Sequence, residues 1–341
     1  MSTKATLLDR TWHHSRFEDI GRLVSLKEQK GLKISLAFPT LNEELTIGKE
    51  ILLIRTELME RFHLLDEIAV IDSSSKDNTR KIAEHFGARV IASKKILPKY
   101  GTYRGKGENL WKSLYALEGD IIVWVDADIS NFAPKFVYGL LGPLLEDDGI
   151  SYVKAFYERP IRSSVTGNPA GIASTGGGRV TEILVRPLFS LFYPELAQLI
   201  QPLSGEYAGR RALLEQLSFS VGYGVELGHL IDIINLSGSG ALAQVDLDIR
   251  IHRNQSTSSL GKMAFGILNT FFSRVEKSGN LHLLRELGDR YISLVQEPPK
   301  GAVVNTPHAV PKIKETEIPG VERPPMIGIP EYREKFKITK D

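Results

Sequence analysis

The chain has 341 residues, 42% of them hydrophobic and 25% charged, enough to bury a large core as one big domain or two tightly joined ones. Forty-three lysines and arginines against 41 acidic residues leave a formal charge of +2, which gives no general electrostatic reason to expect nucleic acid or an anionic membrane as partner. The absence of cysteine excludes disulfides, thiol catalysis and thiolate metal sites, so a metal must be held by oxygen and imidazole nitrogen.

Residues 1–20 are polar and mixed in charge, without the apolar core of a signal peptide. No apolar run approaches the ~20 residues needed to span a bilayer, and a cytoplasmic location is expected. The first predicted strand, 33–38, leads through Pro39, Thr40, Leu41, Asn42, Glu43 and Glu44 into a helix over about 47–62. A second strand, 67–71, runs into a polar loop, a helix over about 80–86 and a third strand, 88–92. Asp77 to Thr79 offer capping side chains for one helix and Thr46 for the other. Repeated β-α-β units with polar loops at strand ends predict an α/β fold with a Rossmann-like, mostly parallel sheet.

The next strand is the most informative. Ile121 to Val125 are apolar and mostly β-branched, and they end in Asp126, Ala127 and Asp128. Residues i and i+2 leave an extended chain on the same side, so both carboxylates can address one cation at the edge where open α/β sheets bind ligands. Carboxylate oxygens suit Mg²⁺ or Mn²⁺, although an isolated Asp-x-Asp is also what a solvated acidic turn looks like.

Other segments carry two readings each. Gly101 to Glu108 is a glycine-interrupted basic loop in which backbone amides and Lys106 suit phosphate oxygens, or else an ordinary surface loop; it lacks the Walker spacing. Gly176 to Glu182 combines three glycines, Arg179 and Thr181 at a predicted helix start over about 180–192, which suits a phosphate or carboxylate, or a hinge with a surface arginine. Arg250, His252 and Asn254 alternate with other residues, so a strand would present them to one side, and a neutral His252 would complete an Asp/His metal site. From 297 to 330 prolines are dense and apolar periodicity is absent; this stretch reads as an extended strap or a partly disordered tail.

These segments together resemble the glucosyl-3-phosphoglycerate synthases, retaining glycosyltransferases of the GT-A fold. The resemblance covers about residues 33–260 and rests on Pro39 to Glu44, Ile71 to Ser73, Gly105 to Glu108, Val125 to Asp128, Gly177 to Glu182, Gln201 to Tyr207, Gly222 to Glu226 and Arg250 to Asn254, in that order. Ala127 stands where many relatives carry serine, and Ser204 where glycine is common. It implies an N-terminal extension (1–30), a nucleotide-sugar-binding half (31–150), an acceptor-binding half with a helical region (151–296) and a proline-rich tail (297–341).

Residue by residue, the resemblance implies that Pro39, Thr40, Leu41, Asn42 and Glu43, with Ser73, recognise the nucleoside. Lys106, Asp126, Ala127 and Arg250 would complete the donor contacts, Tyr223, Gly224, Val225 and Glu226 would line the sugar pocket, and Asp128 with His252 would hold a divalent metal on the diphosphate. Gly178, Arg179, Val180, Thr181 and Asn254 would bind 3-phosphoglycerate, and the catalytic roles fall on Asp128, Glu226 and Arg179. The implied reaction is glucosyl transfer, with retention, from UDP- or GDP-glucose to the 2-hydroxyl of D-3-phosphoglycerate, by a homodimer. Mannosyl transfer to the same acceptor and a non-catalytic nucleotide-sugar-binding regulator are the alternatives.

Overall fold

In the computed structural model, residues 6–159, 161–162, 172–173, 178–251, 256–295 and 312–339 are described. The N-terminal half builds a parallel sheet. Strand β1 is Thr11–His13, β2 is Ile34–Thr40, β3 is Glu67–Asp72, β4 is Arg89–Ala92 and β5 is Ile121–Trp124. Helices Ile47–Ile54, Thr79–His85 and Lys106–Ala116 connect these strands, the first continuing through a wide turn over Arg55–Arg61. Strand residues alternate between two apolar clusters: Ala37, Ile122 and Trp124 belong to one, and Leu36, Phe38, Ile121 and Val123 to the other. That two-sided burial is why these strands read as nearly continuous apolar runs.

The later strands are β6 (Tyr152–Glu158), the short pair β7 (Ile161–Arg162) and β8 (Ile172–Ala173), then β9 (Tyr207–Arg210), β10 (Phe219–Ser220), β11 (Leu242–Ile249), β12 (Arg290–Val295), β13 (Lys312–Glu317) and β14 (Glu322–Arg323). Among the described residues, three of these later strands extend the same sheet and six form separate two-stranded pairs, β7 with β8, β10 with β14 and β12 with β13. The main sheet has the order β1-β11-β6-β9-β5-β2-β3-β4. All its pairings are parallel except those of β9, which runs antiparallel to both β5 and β6. The chain leaves β2 towards β3 and β4 on one side and returns to place β5 on the other, so the carboxyl ends of β2 and β5 flank a topological switch point.

The C-terminal segment, where proline removes any periodic signal, packs onto this body. Strand β14 pairs with β10, and Met326 and Tyr332 are fully buried in the cluster that contains Trp111 and Trp124. Arg323 donates to both oxygens of Glu108, at 2.7 and 2.8 Å, and to the Tyr100 carbonyl at 2.8 Å. Its guanidinium also lies over the Trp111 ring.

Candidate active site

The loops that leave β2 and β3 are fixed by each other. The Asn42 amide donates to Ser75 Oγ at 2.9 Å, and the Lys76 amide to Asn42 Oδ1 at 2.8 Å. Thr79 Oγ1 accepts from the Glu43 amide at 2.8 Å, and Asp77 Oδ2 from the Glu44 amide at 3.2 Å. Of the segment expected to cap helix Thr79–His85, Asn78 makes no side-chain cap bond, Asp77 Oδ1 accepts from the Thr79 amide at 3.0 Å, and Asp77 and Thr79 brace the loop opposite. Thr46 corrects the sequence reading: no cap bond forms from its side chain, because its hydroxyl donates to the Ala127 carbonyl and ties helix Ile47–Ile54 to the acidic loop.

Between these loops and the end of β5 lies a cleft of about 530 Å³. Pro39, Thr40, Leu41, Glu43 and Ser73 form one wall, and Asp126, Ala127 and Asp128 the floor. The start of helix Lys106–Ala116 contributes Lys106, with Arg104 and Asn109 beside it, and Tyr223 closes the far side. Asn42 is absent from this lining because its side chain is spent on the Lys76 amide.

Lys106 is held among acids. Its ammonium pairs with Asp126, lies 3.3 Å from Glu226 Oε1 and donates to the Gly205 carbonyl at 3.1 Å. Burial opposes its charge, but attraction to Asp126, Glu226 and Glu206 outweighs that and raises the lysine pKa. Asp126 is pulled the other way: burial would raise its pKa, yet Lys106 and Arg250 hold it down to about 2. Gly205 permits this approach, since a Cβ there would lie 1.9 Å from Asp126 Oδ2.

Arg250 joins the two halves. A bulge between Asp246 and Ile249, with Asp248 at φ 65°, ends β11 and turns the next residue inward. Arg250 Nη2 donates to Asp126 Oδ2 at 3.2 Å and to Asp128 Oδ1 at 2.9 Å, while its Nε donates to Glu206 Oε1 at 3.0 Å. The acidic loop is stitched to the same segment by Asn131, which accepts from the Ile251 amide at 2.8 Å and donates to the Ile249 carbonyl at 2.7 Å. Burial raises the pKa of Asp128, Arg250 opposes this, and Asp126 and Glu206 add to the rise. An oxygen donor among like charges, with no thiol near it, is a fitting ligand for Mg²⁺ or Mn²⁺. Glu50, fully buried, supports the loop by accepting from the Ile129 amide at 3.1 Å.

A smaller chamber of about 210 Å³ opens beyond Lys106, Asp126 and Asp128. Glu226, Arg250 and Tyr223 line it, and Tyr157 and Arg159 line it from outside any quoted motif. Tyr157 donates to Glu206, which in turn holds Arg250. Gly224 and Val225 line neither cavity; Val225 is fully buried in the core at the start of helix Val225–Ser237. The turn from Gly178 to Thr181 also lies outside both linings: Gly178 takes a φ of 85°, Arg179 is exposed and Thr181 is buried. His252 and Asn254 lie outside the described residues.

Residues 35–215 match the family model for glycosyl transferase family 2. A glucosyl-3-phosphoglycerate synthase from Petrotoga mobilis is 59% identical over 333 residues, covering 98% of each chain. The chain belongs to this family. Among solved structures, a mannosyl-3-phosphoglycerate synthase from Rubrobacter xylanophilus superposes with a TM-score of 0.81 at 36% identity, covering 94% of this chain and 97% of that one. A glucosyl-3-phosphoglycerate synthase from Mycobacterium tuberculosis in complex with Mg²⁺ and UDP gives 0.77 at 38% identity, covering 94% and 98%. The same enzyme in complex with Mn²⁺, UDP-glucose and phosphoglyceric acid gives 0.73 at 39%, covering 90% and 94%.

Proposed function

We propose that this chain transfers glucose, with retention, from UDP-glucose to the 2-hydroxyl of D-3-phosphoglycerate, giving glucosyl-3-phosphoglycerate. The observation that carries the reading is the near-full-length identity to a synthase of that name, in a chain whose two cavities meet at Lys106, Asp126 and Asp128. The larger cleft takes the nucleotide: Pro39 to Glu43 and Ser73 receive the nucleoside, and Lys106 and Asp126 its ribose and phosphates. The chamber takes the sugar, with Glu226 orienting its hydroxyls. Asp128 and His252 would hold Mg²⁺ or Mn²⁺, which when bound would offset charge on the departing diphosphate.

Lys106 adds a fixed cation beside the leaving group, and Arg250 keeps Asp126 and Asp128 aligned through its forked contacts. Glu226 is ion-paired with Lys106, which supports a positioning role over that of a free nucleophile. Same-face substitution assisted by the leaving phosphate follows, with Arg179 and Thr181 aligning the acceptor through its phosphate.

The alternative, mannosyl transfer, is favoured by the Rubrobacter neighbour, but its 36% identity stands against 59% for the Petrotoga synthase. The test is a panel of UDP- and GDP-linked glucose and mannose, with and without 3-phosphoglycerate, followed by the product's anomeric proton coupling. Preference for a mannosyl donor, or donor hydrolysis indifferent to 3-phosphoglycerate, defeats the reading. We also propose a cytoplasmic homodimer, a reading carried over from the family resemblance, and sedimentation velocity tests the dimer.

A further inference from the structure

We propose that Arg159 is the receptor for the acceptor's carboxylate, a reading that rests on the function proposed above. The argument is one of charge. The chamber is lined by the carboxylates of Asp126, Asp128 and Glu226, so an anionic acceptor entering it must meet a cation. Three cations line the same space, and two are already committed. Lys106 is paired with Asp126 and Glu226, and Arg250 with Asp126, Asp128 and Glu206. Arg159 differs from both: among the described residues it has no carboxylate in ion-pairing range.

What holds Arg159 is neutral. Its Nη2 donates to the Tyr157 hydroxyl at 3.0 Å, and its guanidinium lies over the Tyr157 ring, 4.9 Å from the centroid. The Nε is buried and lacks a hydrogen-bond partner among the described residues. An unspent donor on a charged group is costly to leave unmatched, so this guanidinium keeps hydrogen-bonding capacity in reserve. Tyr157 is itself fixed by donating to Glu206, so the guanidinium is anchored along one edge before ligand arrives. A planar fork held in this way suits a carboxylate and loses little freedom on binding.

The geometry also selects which anion comes here. In 3-phosphoglycerate the carboxylate is bonded to the carbon that bears the reacting hydroxyl, and the phosphate is one carbon further away. The Gly178 to Thr181 turn, proposed for the phosphate, is outside the chamber lining, while Arg159 is inside it with Asp126, Asp128 and Glu226. The anion nearest the reacting centre therefore falls to Arg159. The consequence is specificity: a site built to hydrogen-bond a charged group discriminates against analogues that lack it.

The test uses Arg159→Gln and Arg159→Lys with two acceptors, D-3-phosphoglycerate and the glycerol phosphate of matching configuration, in which a hydroxymethyl replaces the carboxylate. Each is measured as substrate and as competitive inhibitor. For Arg159→Gln, kcat/KM with 3-phosphoglycerate should fall about 10- to 100-fold, as for loss of a charged hydrogen bond, mostly through the acceptor KM and with the UDP-glucose KM unchanged. Arg159→Lys should fall between. The glycerol phosphate should bind wild type and Arg159→Gln equally. An equal loss for both acceptors would mean that Arg159 only supports Tyr157 and Glu206, and full activity of Arg159→Gln with 3-phosphoglycerate would exclude any role; either overturns the proposal. If wild type itself fails to transfer to 3-phosphoglycerate, the functional reading falls first and this one with it.

Discussion

Two buried arginines, Arg250 and Arg323, solve the same electrostatic problem in opposite ways. Arg323 meets one carboxylate, Glu108, through a two-pronged bond, with a backbone carbonyl and the Trp111 ring closing the rest of its surface. Glu108 is fully buried and also accepts Lys112 at 3.3 Å, so the cluster is complete without outside help. Arg250 instead faces Asp126, Asp128 and Glu206, and two of those acids are about a third exposed at the floor of a cleft. Closed pairing fixes a segment in place; open pairing with surplus carboxylates leaves a demand for cations. Burial alone does not separate a structural arginine from one that organises a site, but the balance and accessibility of its partners do.

The comparison can be broken in graded steps. Asp128→Ala removes an anionic ligand from the open cluster, and turnover should fall about 10²- to 10³-fold, the scale of losing one electrostatic group at the reacting centre. Mn²⁺ binding followed by electron paramagnetic resonance should weaken with it, while the melting curve stays near wild type; undiminished metal binding would remove Asp128 from the metal site. Arg323→Met in the closed cluster should do the reverse. Stability should drop by about 3 kcal/mol, towards the low end for breaking a buried pair because Lys112 remains on Glu108, with kcat of the folded fraction preserved at low temperature. Urea unfolding beside steady-state kinetics separates the two outcomes.

Arg179→Lys is the next step down. It keeps the charge but loses the fork, and apparent acceptor affinity should fall about tenfold to a hundredfold while the donor curve is unchanged. A defect confined to the donor curve would refute the acceptor role. A pH-dependent effect is expected from Lys154, buried under the Tyr207 ring and donating to the Ser204 carbonyl at 2.6 Å. Burial drives its pKa down to about 7, against the pull of Glu226. The unfolded chain keeps this proton up to its ordinary pKa near 10.5, so between about pH 7 and 10.5 it holds more protons than the folded chain, and stability should rise with pH across that window. Below it both states are protonated and the contribution is flat. Lys154→Met should abolish that rise; an identical slope in both proteins would show that the proton is lost elsewhere.

Legibility in the sequence followed locality. Strand Ile34–Thr40, strand Glu67–Asp72 and the strand Ile121–Trp124 before the acid pair each carry a strong apolar signal, and Lys106, Asp126, Asp128, Glu226 and Arg250 each sit in a short contiguous motif. Strand β9 was silent, because Tyr207 to Arg210 is four residues long with alanine and glycine at its centre. Glu50 and Arg159 were silent for a different reason. Glu50 meets Ile129 across 79 positions of sequence, and Arg159 is recognisable only by the company it keeps in the chamber, so neither leaves a spacing to read. Thr46 had the right residue type and position for a cap, yet a carbonyl of the acidic loop outcompeted its own helix.

Strand β9 has one more effect on how this molecule can work. It is hydrogen-bonded to β5 along one edge and to β6 along the other, so the strand that leads to Asp126 and Asp128 and the strand that leads to Tyr157 and Arg159 belong to one continuous ladder. No hinge axis passes between them. Rotating one half against the other would tear two rows of main-chain bonds in the middle of the core.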